Sequence, residues 1–76
     1  MKERIIEIIE EVSQFQNLRD YLEIDLLENN ILDSFAFIQL ISTLEDEFDI
    51  EIQPTQVKAD TWRKVESIVE LIENLK

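Results

Sequence analysis

Hydrophobic residues fall at helical spacing in three separate stretches of the chain. Ile5, Ile8, Ile9, Val12 and Phe15 share one face, with Glu7, Glu10, Glu11 and Gln14 between them. That period predicts an amphipathic helix over about residues 2–16. After Asp33, the residues Phe37, Leu40, Ile41, Leu44 and Phe48 advance at helical intervals and predict a second helix. Val65, Ile68, Val69, Ile72 and Leu75 form the inward face of a third long helix, from about Trp62 to Leu75. Asp60 or Thr61 is its expected N-cap. Pro54, ahead of Thr55-Gln56-Val57-Lys58, suits the first turn of one more short helix.

Between the first two helices, Asn17 to Asp33 keeps no sustained period. Loops of that length are uncommon in compact domains and tend to be functional or disordered. Here Leu18, Leu22, Ile24, Leu26 and Leu27 supply apolar groups that pin the loop to the bundle. Asn29-Asn30 is a turn signal, because asparagine tolerates positive φ in a chain that has no glycine. The expected fold is therefore all-α. It is a four-helix bundle with a long first loop and a short third helix, formed as one domain over residues 1–76.

Composition narrows the chemistry. The chain has 76 residues, 45% of them hydrophobic, with no glycine and one proline, which favours helices over a turn-rich β fold. It has no cysteine, so neither disulfides nor thiolate metal sites are available. It has no histidine, which removes the commonest general base and the commonest metal ligand. Hydrolysis by a Ser-His or Cys-His pair within the chain is excluded, and no catalytic residue is expected. Eighteen acids against seven bases give a net charge of −11, and no base occurs between Asp20 and Val57. That field repels nucleic acid and anionic membranes and attracts basic protein surfaces. No apolar run approaches the roughly 20 residues needed to span a bilayer. Glu7 interrupts the segment where a signal peptide needs apolar residues, so the expected location is cytoplasmic. Glu45, Asp46, Glu47, Asp49 and Glu51 do not make a calcium loop, because that loop needs a glycine at its sixth position. No metal site is expected.

The candidate chemistry sits at the start of the second helix. Ser34 falls in its first turn, where backbone N–H groups lack intrahelical partners and the dipole is positive. A phosphate ester on its hydroxyl would be favoured there. Asp33 is the better N-cap, leaving Ser34 free to point outward. Taken alone, an Asp-Ser pair before a helix is a cap and nothing more.

Its surroundings add to that. The stretch Leu27-Glu28-Asn29-Asn30-Ile31-Leu32-Asp33-Ser34-Phe35 resembles the phosphopantetheine attachment motif of acyl, aminoacyl and D-alanyl carrier proteins. Leu40-Ile41 and Leu44-Glu45-Asp46-Glu47-Phe48-Asp49-Ile50-Glu51-Ile52 look like the end of that family's second helix and the turn after it. Trp62-Arg63-Lys64-Val65-Glu66-Ser67-Ile68 is similar to the start of its last helix. The resemblance covers essentially the whole chain. It implies that a phosphopantetheinyl transferase moves 4′-phosphopantetheine from coenzyme A onto the Ser34 hydroxyl, with Asp33 close to the metal of that enzyme. It further implies that an adenylating or acyl-loading ligase charges the arm's thiol, and that acyl- or aminoacyl-transferring enzymes unload it. The carrier itself would be a monomer that positions and presents.

The sequence departs from the family at the front of the second helix. Fatty-acid carriers often have acids two and five residues after the serine, where this chain has Ala36 and Gln39. Phe35, Ile38 and Ser42 fall outside the core stripe, so an apolar patch is expected beside Ser34 as a partner-recognition surface. Glu45, Asp46 and Glu47 are expected to steer basic partner enzymes. An apolar front favours a specialised pathway such as D-alanyl or other aminoacyl transfer. The competing reading is an acidic helical adaptor, or a nucleic-acid mimic, with no covalent modification. Such a protein would need spread acidity but no particular serine.

Overall fold

The computed structural model describes residues 2–53 and 57–75, and among them the chain is helical with no strand. In order, the elements are α1 (Lys2–Ser13), a 3-10 turn η1 (Leu18–Tyr21), α2 (Ser34–Phe48), a second 3-10 turn η2 (Ala59–Trp62) and α3 (Val65–Leu75). The short helix expected from Pro54 falls largely on residues 54–56, which lie outside the described residues. Lys58, at the end of that expected helix, is extended, with φ −65° and ψ 144°.

Helix α1 stops at Ser13, three residues short of expectation, for a local reason. The Ser13 hydroxyl donates to the Ile9 carbonyl at 2.5 Å and accepts the Phe15 N–H at 3.2 Å. Gln14 takes φ 60°, and its N–H closes back to the Glu10 carbonyl at 2.8 Å. This is a left-handed C-terminal cap, made by glutamine where other chains use glycine. Ile5, Ile6, Ile8 and Ile9 are buried, a wider face than the periodicity required, because α1 packs against both α2 and α3. On α2 the buried line is Ala36, Leu40 and Leu44, with Phe37, Ile41 and Phe48 partly buried against it. Fully burying one such aliphatic side chain stabilises by about 1.5–3 kcal/mol.

Helix α3 buries Val65, Ile68, Val69 and Ile72, as their spacing predicts. It ends at Leu75 as expected, but its start and the burial of that last residue differ from the reading. The Trp62 turn belongs to η2, and Asp60 and Thr61 lie inside that turn instead of capping α3. The Asp60 carboxylate is held by Arg63 Nε at 3.0 Å, and the Arg63 N–H closes on the Asp60 carbonyl. Leu75 is 41% exposed, since it falls in the final turn, past the buried line that ends at Ile72.

The long loop is ordered by the apolar residues picked out in it. Leu18 and Leu26 are fully buried, while Leu22, Ile24 and Leu27 pack against the core. The Glu10 carboxylate accepts the Leu18 N–H at 2.8 Å, tying η1 to α1. At its far end the loop is bound to the segment ahead of α3. The Leu26 N–H donates to the Arg63 carbonyl at 2.6 Å, and Lys64 Nζ donates to the Glu23 carbonyl at 2.6 Å. Asp25 accepts the Leu27 and Glu28 N–H groups and pairs with Arg63 at 3.1 Å. These bonds, led by the one from Glu28, hold the Asp25 carboxyl below its ordinary range. Asn30, with φ 60°, makes the expected left-handed turn, and both the Ile31 and Leu32 N–H groups return to the Leu26 carbonyl. That turn delivers the chain to Asp33.

Candidate functional site

Asp33 caps α2 as anticipated. Its backbone is extended, and Oδ1 accepts the Ala36 N–H at 2.8 Å, while its carbonyl accepts the Phe37 N–H. The carboxylate thereby takes up one of the first-turn donors that a helix leaves unpaired. Ser34 is the first residue of α2 and is exposed, so its hydroxyl is spared from capping and reachable from solvent. A phosphate ester there would meet the helix's remaining N-terminal donors.

Phe35 and Ile38 are 69% and 66% exposed, among the few large apolar side chains left in water. With the exposed Ser42 they follow one another at helical spacing along α2, next to Ser34 and away from the buried Ala36, Leu40 and Leu44 line. Of the two positions where fatty-acid carriers often have acids, Ala36 is buried in the core and Gln39 is exposed.

The three acids at the far end of α2 have different surroundings. Glu45 Oε2 accepts the Ile52 N–H at 2.8 Å, fastening the chain that leaves the helix. Glu47 pairs with Arg4 of α1 at 3.1 Å, and that hydrogen bond holds its carboxyl below the ordinary range. Asp46 is exposed on the surface.

Ser34 and Asp33 also border a groove of about 400 Å³. Its other walls are Leu27, Leu32 and Phe37, with Val57, Ala59 and Trp62 from the segment ahead of α3. Trp62 stands edge-on to Phe37, with ring centroids 5.2 Å apart at 85°. The Trp62 side chain is buried, and its Nε1 has no hydrogen-bond partner among the described residues. A buried donor left unpaired costs about 1–3 kcal/mol. Sequence reading assigned Trp62 to the start of the last helix and missed this wall altogether. Its one signal was that Trp62 is the chain's single tryptophan.

Comparison with known proteins bears on this site directly. The family described as "Phosphopantetheine attachment site" matches residues 3–72. The D-alanyl carrier protein of Lactococcus lactis subsp. lactis (strain IL1403) is 40% identical over 76 residues, covering 100% of this chain and 96% of that protein. The D-alanyl carrier protein of Lactococcus lactis subsp. cremoris (strain MG1363) is 41% identical over 68 residues, covering 90% and 86%. That of Bacillus cereus (strain B4264) is 29% identical over 75 residues, covering 99% and 95%.

The described residues fit such a group. They offer an exposed hydroxyl on a helix N-terminus and an apolar groove beside it. An adaptor without covalent modification is not favoured by these matches. No helix among the described residues is long and apolar enough to cross a membrane. The chain belongs to the phosphopantetheine attachment family: it is a carrier protein that bears covalently bound 4′-phosphopantetheine, works with loading and transferring enzymes, and is not itself catalytic.

Proposed function

We propose that Ser34 is the attachment point and that the cargo is a D-alanyl group. The observation that carries the first part is the division of labour at the start of α2: Asp33 makes the cap, and the Ser34 hydroxyl is exposed with no structural duty. The second part rests on the D-alanyl carrier proteins that match along nearly their whole length. The apolar front of α2 agrees with it, since Phe35 and Ile38 flank the serine and Gln39 stands where fatty-acid carriers often have an acid.

The bound group supplies a thiol that holds the cargo as a thioester, and the chain's residues do the rest. Ser34 provides the nucleophilic oxygen when a phosphopantetheinyl transferase attaches the group from coenzyme A. Asp33, one of whose oxygens is engaged by Ala36, lies next to it and serves the metal bound by that enzyme. Phe35 and Ile38 form the contact that the transferase, an adenylating ligase and downstream aminoacyl-transferring enzymes must cover to reach the arm. Asp46 contributes to the field that draws basic partners in, whereas Glu45 and Glu47 act there from within intramolecular bonds. The carrier works as a cytoplasmic monomer, one domain over residues 1–76. Its fold, in this proposal, is the four-helix carrier bundle, of which α1, α2 and α3 are the described α-helices.

The test is loading. The phosphopantetheinylated protein is incubated with ATP, D-alanine and an adenylating D-alanine ligase, and its intact mass is followed. A gain of one D-alanyl group, reversed by hydroxylamine and absent with L-alanine, is expected. Loading by a fatty-acyl ligase but not by the D-alanine ligase would overturn the cargo assignment.

A further inference from the structure

Starting from attachment at Ser34, we propose that the groove beside it is a resting site for the arm itself, in which the Trp62 indole N–H donates a hydrogen bond to one of the arm's amide carbonyls. Trp62 Nε1 is the one buried side-chain polar atom without a partner among the described residues, and Trp62 helps to wall a groove that Ser34 also borders. Apart from Asp33 beside the serine, the rest of that wall is apolar, from Leu27, Leu32, Phe37, Val57 and Ala59. A phosphopantetheine chain matches such a surface, since its methyl and methylene groups alternate with two neutral amides. Those amides need hydrogen-bond partners once they leave water. A neutral donor in a largely apolar groove suits a neutral carbonyl, while the phosphate stays at the α2 N-terminus. The groove's volume of about 400 Å³ falls within the range of small-molecule pockets. Nε1 has essentially no exposed surface, so a carbonyl reaches it only when the Trp62 side chain shifts. The consequence is a carrier whose arm has a docked state, displaced when a partner covers Phe35 and Ile38.

The chain has a single tryptophan, so its indole N–H gives one assignable signal in a ¹⁵N-correlated NMR spectrum. The spectrum is recorded on the protein before and after phosphopantetheinylation, with the thiol free and the modification verified by intact mass. The indole cross-peak is expected to move downfield on modification. In parallel, the thiol of modified Trp62→Phe is expected to react faster with iodoacetamide than that of the modified parent, with circular dichroism confirming its helices. An indole cross-peak at the same position in both forms would overturn the proposal, whatever the stability of the variant. So would a shift that appears only once D-alanine is loaded, because it would assign the bond to the cargo. Failure to gain the phosphopantetheinyl mass would instead count against Ser34 as the attachment point, and the two failures are thereby separated.

Discussion

Leu44 and Ile38 lie on the same helix, yet their truncation should have opposite consequences. Leu44 is fully buried, whereas Ile38 is 66% exposed. Replacing leucine by alanine removes about 0.8 kcal/mol of transfer free energy for each lost methylene-sized group. The cavity left behind brings such changes to about 2.7–5 kcal/mol. At about 0.05–0.15 kcal/mol per residue, a domain of this size has only about 4–11 kcal/mol in total. Leu44→Ala should therefore remove about a quarter or more of the stability. It should lower the melting temperature by about 10 °C or more, since a domain this small shifts by about 4–8 °C per kcal/mol. Ile38→Ala should stay within about 0.5 kcal/mol of the parent. Urea unfolding followed by circular dichroism measures both, and an unchanged m-value would confirm that only stability moved. A loss below about 1 kcal/mol for Leu44→Ala, or an equal loss for Ile38→Ala, would mean that α2 is rotated about its axis relative to this description.

Phe35→Glu should slow modification and loading at every ionic strength, whereas Asp46→Asn should slow them mainly at low salt; rates across a salt series distinguish the two, and parental rates for Phe35→Glu would remove α2's front as the docking face. Thermal stability should rise from low to moderate salt, because no base lies between Asp20 and Val57 and screening shortens the repulsion to about 8 Å; a flat or falling trend would show that the acids do not interact. Asp25 and Glu47 have folded-state pKa values below their ordinary ones, so the stability they add is present above the usual carboxylate range and is lost as the pH falls through their lowered values. Asp25→Asn should weaken the domain at neutral pH and flatten that acid limb, which unfolding at stepped pH would reveal; an unaltered limb would show that Asp25 has no such linkage.

What could be read along the chain was what local geometry decides. The Asp33 cap, the Asn30 turn, Leu40 and Leu44 of α2 and the buried line of α3 as far as Ile72 each follow from neighbours within a turn or two. The errors arise where a partner is distant or a residue behaves against type. Asp60 looked like a cap, but Arg63 engages it within a 3-10 turn, so α3 starts later. Gln14 ends α1 in a left-handed conformation that glutamine seldom signals. Arg4 pairs with Glu47 from 43 residues away, and nothing in either segment announces that contact. The groove was illegible for the same reason: Leu27, Ser34 and Trp62 meet only through the loop's bonds to Arg63 and Lys64. The serine itself stood out because its cap, its helix and its flanking motif are all contiguous.

Intact mass spectrometry of the protein incubated with coenzyme A and a broad-specificity phosphopantetheinyl transferase, beside Ser34→Ala, tests the central claim most directly. The parent should gain one phosphopantetheinyl group, localised by fragmentation to Ser34. The variant should gain none while keeping its helical circular dichroism, because Asp33 supplies the cap. A modified Ser34→Ala, or a parent that gains nothing, would contradict the account.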